Sequence, residues 1–323
     1  MRRPDPMRRG AGSIDAGTVA GVGRSGCVLA CDAGLGARSL GVVRWLLGCW
    51  LVWATTGCSG APGLEGRAAS RSEGRVRVVE APQEGGLRLS VENTHLAAVT
   101  LTLWVTGENC VPDRAMPVVL SCPGPGAFPF VRIRPGNERE DFSYRVRYHW
   151  QFGQTGVRHD RGAEYRVPFA SGVRARVSQG WGGTFTHSGN DAYAVDFDLP
   201  VGTAVHAARE GRVEVVVDEH AEGGLDPRLR DRVNRILIRH PDGTYGEYVH
   251  LQHRGARVHP GMRVAAGDFL GYSGNTGYSQ GPHLHFAVFR AVDGERRETF
   301  PVRFRAREGR AVEPAEGRYL TAP

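Results

Sequence analysis

The chain has 323 residues, 41% hydrophobic and 23% charged, which suits roughly two globular domains of about 100–200 residues each. Its formal net charge is +7, of which residues 1–57 carry +4 and the rest +3, too mild an excess for a nucleic-acid-binding surface. Forty-five glycines and little helical periodicity count against a helix bundle and favour β-structure with many turns.

Residues 1–57 read as an address. Residues 1–40 are rich in Gly, Ala, Arg and Ser with no repeating apolar face, and are expected to lack structure or to precede the true translation start. The apolar run from Trp45 to Ala54 is about ten residues, too short to span a bilayer, and with Arg38 and Arg44 before it fits the core of a secretory signal. Thr55-Thr56-Gly57-Cys58 resembles a bacterial lipobox, Thr55 being a departure from it. That resemblance implies a lipid anchor on Cys58, with plain secretion or a retained membrane anchor as alternatives. Ser59 resembles the sorting signal of outer-membrane lipoproteins, so the expected location is the cell envelope, on the outer membrane facing the periplasm. Residues 58–74 read as a flexible tether.

Residues 75–170 hold the strand-like segments RVRVVEA, LRLSVEN, AVTLTLWVT, FPFVRIRP, FSYRVRYHWQF and AEYRVPF, separated by turn residues. Their alternation implies one buried face each and an accessory β-sandwich. Cys110 and Cys122, the cysteines remaining after Cys58, are expected to form a disulfide, with two buried thiols as the alternative. His95, His149 and His159 are isolated and read as structural or exposed.

Residues 177–304 read as a second, antiparallel β domain, followed by a tail over 305–323, which makes the whole chain all-β. Within it, Pro282-His283-Leu284-His285-Phe286 places two imidazoles on one face of a strand, with Leu284 and Phe286 on the other. Imidazole nitrogen and carboxylate oxygen are zinc-binding donors. His250 follows Tyr248-Val249, and His187 lies in Thr186-His187-Ser188-Gly189, ahead of Asp191 and Asp196.

Taken together, THSG, DFDLPVGTAVHAAREGRV, HPDGTYGEYVHL and VHPGMRVAAGDFLGYSGNTGYSQGPHLHF resemble the lysostaphin-like (LytM-type) zinc metallopeptidases that cut peptidoglycan. The likeness covers about residues 183–290 and implies an antiparallel LytM-type peptidase domain. It implies one Zn2+ per chain, with His187 and His285 as ligands, and His250 and His283 as a catalytic pair that does not bind metal. Two aspartates compete for the third ligand. Asp191 stands four residues after His187, the family's spacing, whereas Asp196 stands nine after it but is followed, as the family's ligand is, by Pro200 and Gly202-Thr203. Asp196 is preferred, facing the groove from a strand in which Tyr193, Val195 and Phe197 face inward. Asp198 or a backbone carbonyl is expected to orient a ligand imidazole. Tyr248, Tyr272, Asn275 and Tyr278 are expected to line the groove and residues 226–234 to form its rim, while His206, His220, His240, His253 and His259 read as surface or structure. The implied substrate is a peptide of peptidoglycan, and the alternative role is a non-enzymatic LytM-type scaffold that activates other wall hydrolases.

Overall fold

The structure, a computed structural model, describes residues 18–23, 76–183, 185–307 and 309–323. Among them there is no α-helix; the 3-10 turns Gly189–Asp191 and Pro227–Leu229 interrupt an otherwise all-β chain. No helix of the described residues is long and apolar enough to cross a membrane. The expected signal run and Cys58 lie outside the described residues.

The first body is built from Thr18–Gly23 (β1), Val76–Gln83 (β2), Gly86–Asn93 (β3), Val99–Thr106 (β4), Cys110–Pro112 (β5), Val118–Cys122 (β6), Gly126–Pro135 (β7) and Phe142–Phe152 (β8). They form two four-stranded sheets, ordered β1-β8-β4-β6 and β2-β3-β7-β5. Alternate residues such as Leu89, Val91, Leu101, Leu103, Val146 and Trp150 fill the space between the sheets. Two expectations change here. Thr18–Gly23, read as leader, is a strand paired antiparallel along Phe142–Arg147. Cys110 and Cys122 sit on opposing sheets as free thiols, and burial pushes the Cys122 thiol up to about 11.

The second body starts earlier than the sequence suggests. Tyr165–Arg166 (β9), within the segment AEYRVPF expected in the sandwich, pairs with Phe304–Arg305, and Tyr165, Val167 and Phe169 join the second core. It also ends later, because Tyr319–Thr321, expected in a tail, pairs with Arg174–Gln179 (β10), and Leu320 and Ala322 are buried. The principal sheet uses β10, Val195–Phe197 (β11), Gly211–Val217 (β12), Arg235–Arg239 (β13), Tyr245–Val249 (β14), Arg263–Val264 (β15) and Leu284–Ala291 (β16). Their spatial order is β15-β12-β13-β14-β16-β11-β10, with Tyr319–Thr321 outside β10 and Arg297–Thr299 (β17) also pairing β16.

Register then sorts the side chains into two faces. On one, Val195, Phe197, Ile236, Ile238, Tyr248, Leu284, Phe286 and Val288 form the main core. On the other, Arg235, Val249, His285, Asp196 and Gln179 are successive cross-strand partners, forming one row over five strands. Farther along that face, Leu237, Tyr245 and Phe289 pack with Val215, Val217, Ala97 and Phe152. The sandwich therefore covers part of the sheet face that carries the row. Polar contacts fix this junction: Ala98 N–H donates to the Tyr245 hydroxyl (3.0 Å), which donates to Glu214 (2.5 Å), and Gln151 donates to the carbonyls of Asp293 and Arg296 (both 2.6 Å).

His95, between β3 and β4, is buried against Trp150 and Phe152 with its Nε2 unpartnered. Burial lowers its pKa from 6.5 to about 4. Between those values the unfolded chain binds the proton and the folded chain does not, so stability falls as pH falls through this window. Urea melts at pH 7.5 and pH 5 should show an acid loss for His95→Leu that is smaller than for the unmodified chain by roughly 1–2 kcal/mol. Parallel losses would remove His95 from the account.

Candidate metal centre and groove

His187 is fully buried in the loop before β11. Its Nδ1–H donates to the Gly180 carbonyl (2.9 Å), which leaves the Nε2 lone pair pointing inward. That Nε2 is buried without a hydrogen-bond partner and lies 3.2 Å from Asp196 Oδ1. His285, opposite Asp196 across the β11–β16 ladder, places Nδ1 2.8 Å from the same oxygen. One donor atom from each of His187, Asp196 and His285 lies within 4.8 Å of the others. An orphaned imidazole nitrogen facing a carboxylate and a second imidazole is a donor set that fits zinc, with one side open to the groove. Burial opposes ionisation of Asp196, but the imidazoles of His187 and His285 beside its Oδ1 overcome it and hold the carboxyl well below the usual range.

Asp191, the rival aspartate, lies elsewhere. It pairs with Arg297, whose other arm reaches Glu247 Oε2 at 2.6 Å. The extra residues between His187 and β11 form a 3-10 turn, so the usual short spacing lands on that turn and not on the strand. Tyr193 precedes the strand; it is exposed beside Trp181, with ring centroids 5.9 Å apart, and does not face inward.

His250 and His283 flank this centre, their ring centroids 4.4 Å apart. The backbone at His250 is left-handed (φ 63), an uncommon conformation for a residue with a side chain. It ends β14 at Val249 and breaks the alternation, so His250 turns into the groove although Tyr248, two residues back, belongs to the core. Tyr248 therefore does not line the groove; its hydroxyl accepts from Ala208 N–H (2.8 Å). His250 Nδ1–H donates to the Thr276 carbonyl (2.7 Å) and His283 Nδ1–H to the Gly281 carbonyl (2.8 Å). Each imidazole thus keeps Nε2 as an acceptor. Burial, then repulsion from His283 and His285, pushes His250 down to about 3, so it is neutral near pH 7. Gly277 has φ 83, and a Cβ there would lie 2.6 Å from Val233, so the loop that supplies the Thr276 carbonyl requires glycine.

The groove around these residues has a volume of about 930 Å3. Tyr278, Arg230 and Val233 line it, the last two from the expected rim, whereas Tyr272 and Asn275 are not among its lining residues. Asp198 faces Arg176 at 3.5 Å, so the carbonyl of Gly180 is what orients the buried His187 imidazole. Gln179 belongs to the site as well. Its Nε2 donates to Asp196 Oδ2 (2.8 Å) and Thr186 Oγ1 (2.7 Å), and its Oε1 accepts from the backbone N–H of Phe185 and Thr186. One amide thus fastens the carboxylate to the loop that bears His187. No motif marks it; the signal was its place at the end of an alternating strand just before a Gly-Trp-Gly-Gly turn.

Residues 190–298 match peptidase family M23. The chain carries an M23 peptidase domain. His187 lies just before the matched stretch, and the other four site residues lie within it. The M23 domain is 38% identical over 100 residues to glycyl-glycine endopeptidase ALE-1 of Staphylococcus capitis, covering 31% of this chain and 25% of that protein. It is 35% identical over 93 residues to peptidoglycan DD-endopeptidase ShyA of Vibrio cholerae, covering 29% and 19%. The chain thus spans a quarter or less of the length of these curated relatives. The solved catalytic domain of the antimicrobial peptidase lysostaphin from Staphylococcus simulans is 26% identical, with 39% of this chain and 87% of that one covered and a TM-score of 0.27.

The two aspartates make a direct test of the M23 site. Asp196→Asn should abolish tight retention of a divalent metal, measured by elemental analysis after dialysis. Asp191→Asn should retain the metal and instead lower thermal stability, since it weakens the support of a buried guanidinium.

Proposed function

We propose that this chain is a zinc-dependent endopeptidase that hydrolyses peptide bonds of bacterial peptidoglycan. The observation that carries this reading is the buried, unpartnered His187 Nε2 meeting Asp196 and His285 in a groove that also holds His250 and His283. Relatives named as a glycyl-glycine endopeptidase and a peptidoglycan DD-endopeptidase support the substrate class.

In this reading His187, Asp196 and His285 would hold zinc, which would supply Lewis acidity and lower the pKa of a water toward about 7. The residues of the chain do the rest. The Gly180 carbonyl keeps the His187 proton on Nδ1 and frees Nε2 for the metal. Gln179 engages the second oxygen of Asp196, leaving Oδ1 for the metal. The Thr276 and Gly281 carbonyls keep the His250 and His283 protons on Nδ1. Each Nε2 can then accept a proton from the attacking water, and the imidazolium so formed donates, either to the leaving nitrogen or to the oxyanion. The groove admits an extended peptide across the strand ends, and the intact donor set counts against a purely scaffolding role.

His285→Ala should lose zinc and lose cleavage of purified sacculi by at least about a thousandfold. His250→Ala and His283→Ala should each retain zinc, yet lose about 10²–10⁴ in kcat. Cleavage by the His285→Ala protein at the unmodified rate would refute the assignment.

Anchoring by a lipid on Cys58, on the outer membrane facing the periplasm, belongs to the same proposal. Cys58→Ala should move the protein from the membrane fraction to the soluble fraction of lysed cells; an unchanged distribution would exclude this anchor.

A further inference from the structure

Resting on the endopeptidase reading, we propose that Arg235 anchors a free carboxylate of the substrate peptide at the β13 end of the groove. Arg235 begins β13 and is only 9% exposed, yet it lines the groove. It belongs to the same cross-strand row as His285 and Asp196, with Val249 between. Neighbouring strands lie about 4.8 Å apart, so its backbone is about 10 Å from that of His285. An extended peptide advances about 3.3 Å per residue, which puts the anchored carboxylate within about three residues of the bond being cut.

The surroundings show why this guanidinium suits a ligand. Glu247 is the carboxylate nearest to it, at 3.5 Å, and Glu247 gives its other oxygen to Arg297 at 2.6 Å. Arg297 also pairs with Asp191. Arg297 thus has both arms engaged, whereas among the described residues the Arg235 side chain makes no hydrogen bond. A guanidinium has five N–H donors in a flat fork that matches a carboxylate. Holding this fork nine-tenths out of water, in a residue that lines a groove, suits an incoming carboxylate. Arg230, stacked over Tyr278 at 5.0 Å, puts a second cation at the same end. Glu247 offsets the charge of Arg235 when the groove holds no substrate, so the subsite selects by hydrogen-bond geometry as well as by charge.

The test uses the full chain stripped of metal by a chelator, so that binding is read without cleavage. The probes are two fluorescent synthetic stem peptides, identical except that the diaminopimelate side-chain carboxylate is free in one and amidated in the other. By fluorescence anisotropy the unmodified protein should bind the free acid roughly ten- to a hundredfold more tightly. Arg235→Gln should bind both equally. Arg235→Lys keeps the charge without the fork and should show a reduced preference; it also serves if Arg235→Gln fails to fold. An undiminished preference in either folded variant, or no preference in the unmodified protein, would overturn the proposal. The endopeptidase reading stands or falls separately, on cleavage of sacculi by the zinc-loaded unmodified protein.

Discussion

A carboxylate taken out of water must be met by charge or by hydrogen bonds, and at the site Asp196 sets that demand. It receives His187, His285 and Gln179 from three separate segments. The loop before β11, the β11–β16 ladder and the end of β10 must all be in register before those contacts exist. Site and sheet are therefore a single construction: slipping β16 by one residue would carry His285 to the core face and bring an apolar neighbour into the groove.

Much of this was legible from residue spacing. His283 and His285, two apart with Leu284 and Phe286 between and after them, declare a strand with one polar and one apolar face, and the structure has both apolar residues fully buried. Asp196 was separable from Asp191 because the residues following it continue the family pattern, while Asp191 is followed by a turn. Alternation failed where the backbone leaves the strand. Tyr248 and His250 have the same parity, but the left-handed residue at 250 reverses the direction of its side chain.

Other features could not be read because they arise only from long-range pairing. Gln179, Arg235 and Glu247 belong to no local motif; the register of three ladders brings them beside the histidines. The domain limits shifted for a similar reason. AEYRVPF has the composition of a sandwich strand, and only its parallel pairing with Phe304–Arg305 commits it to the second core. The last residues look like a tail until Leu320 is seen packed in that core beside β10.

The sandwich rests on the very sheet face that carries the reactive row, and Leu237, Tyr245 and Phe289 lie beneath it. The stretch matching peptidase family M23, residues 190–298, contains those three residues but neither the sandwich that shelters them nor the β10 strand that borders Asp196. Cut to that stretch, the polypeptide would present an oily, sticky patch to solvent and an unpaired strand edge next to Asp196. The unit that keeps those faces out of water is larger than the matched module: the sandwich works as a roof over part of the second body's sheet.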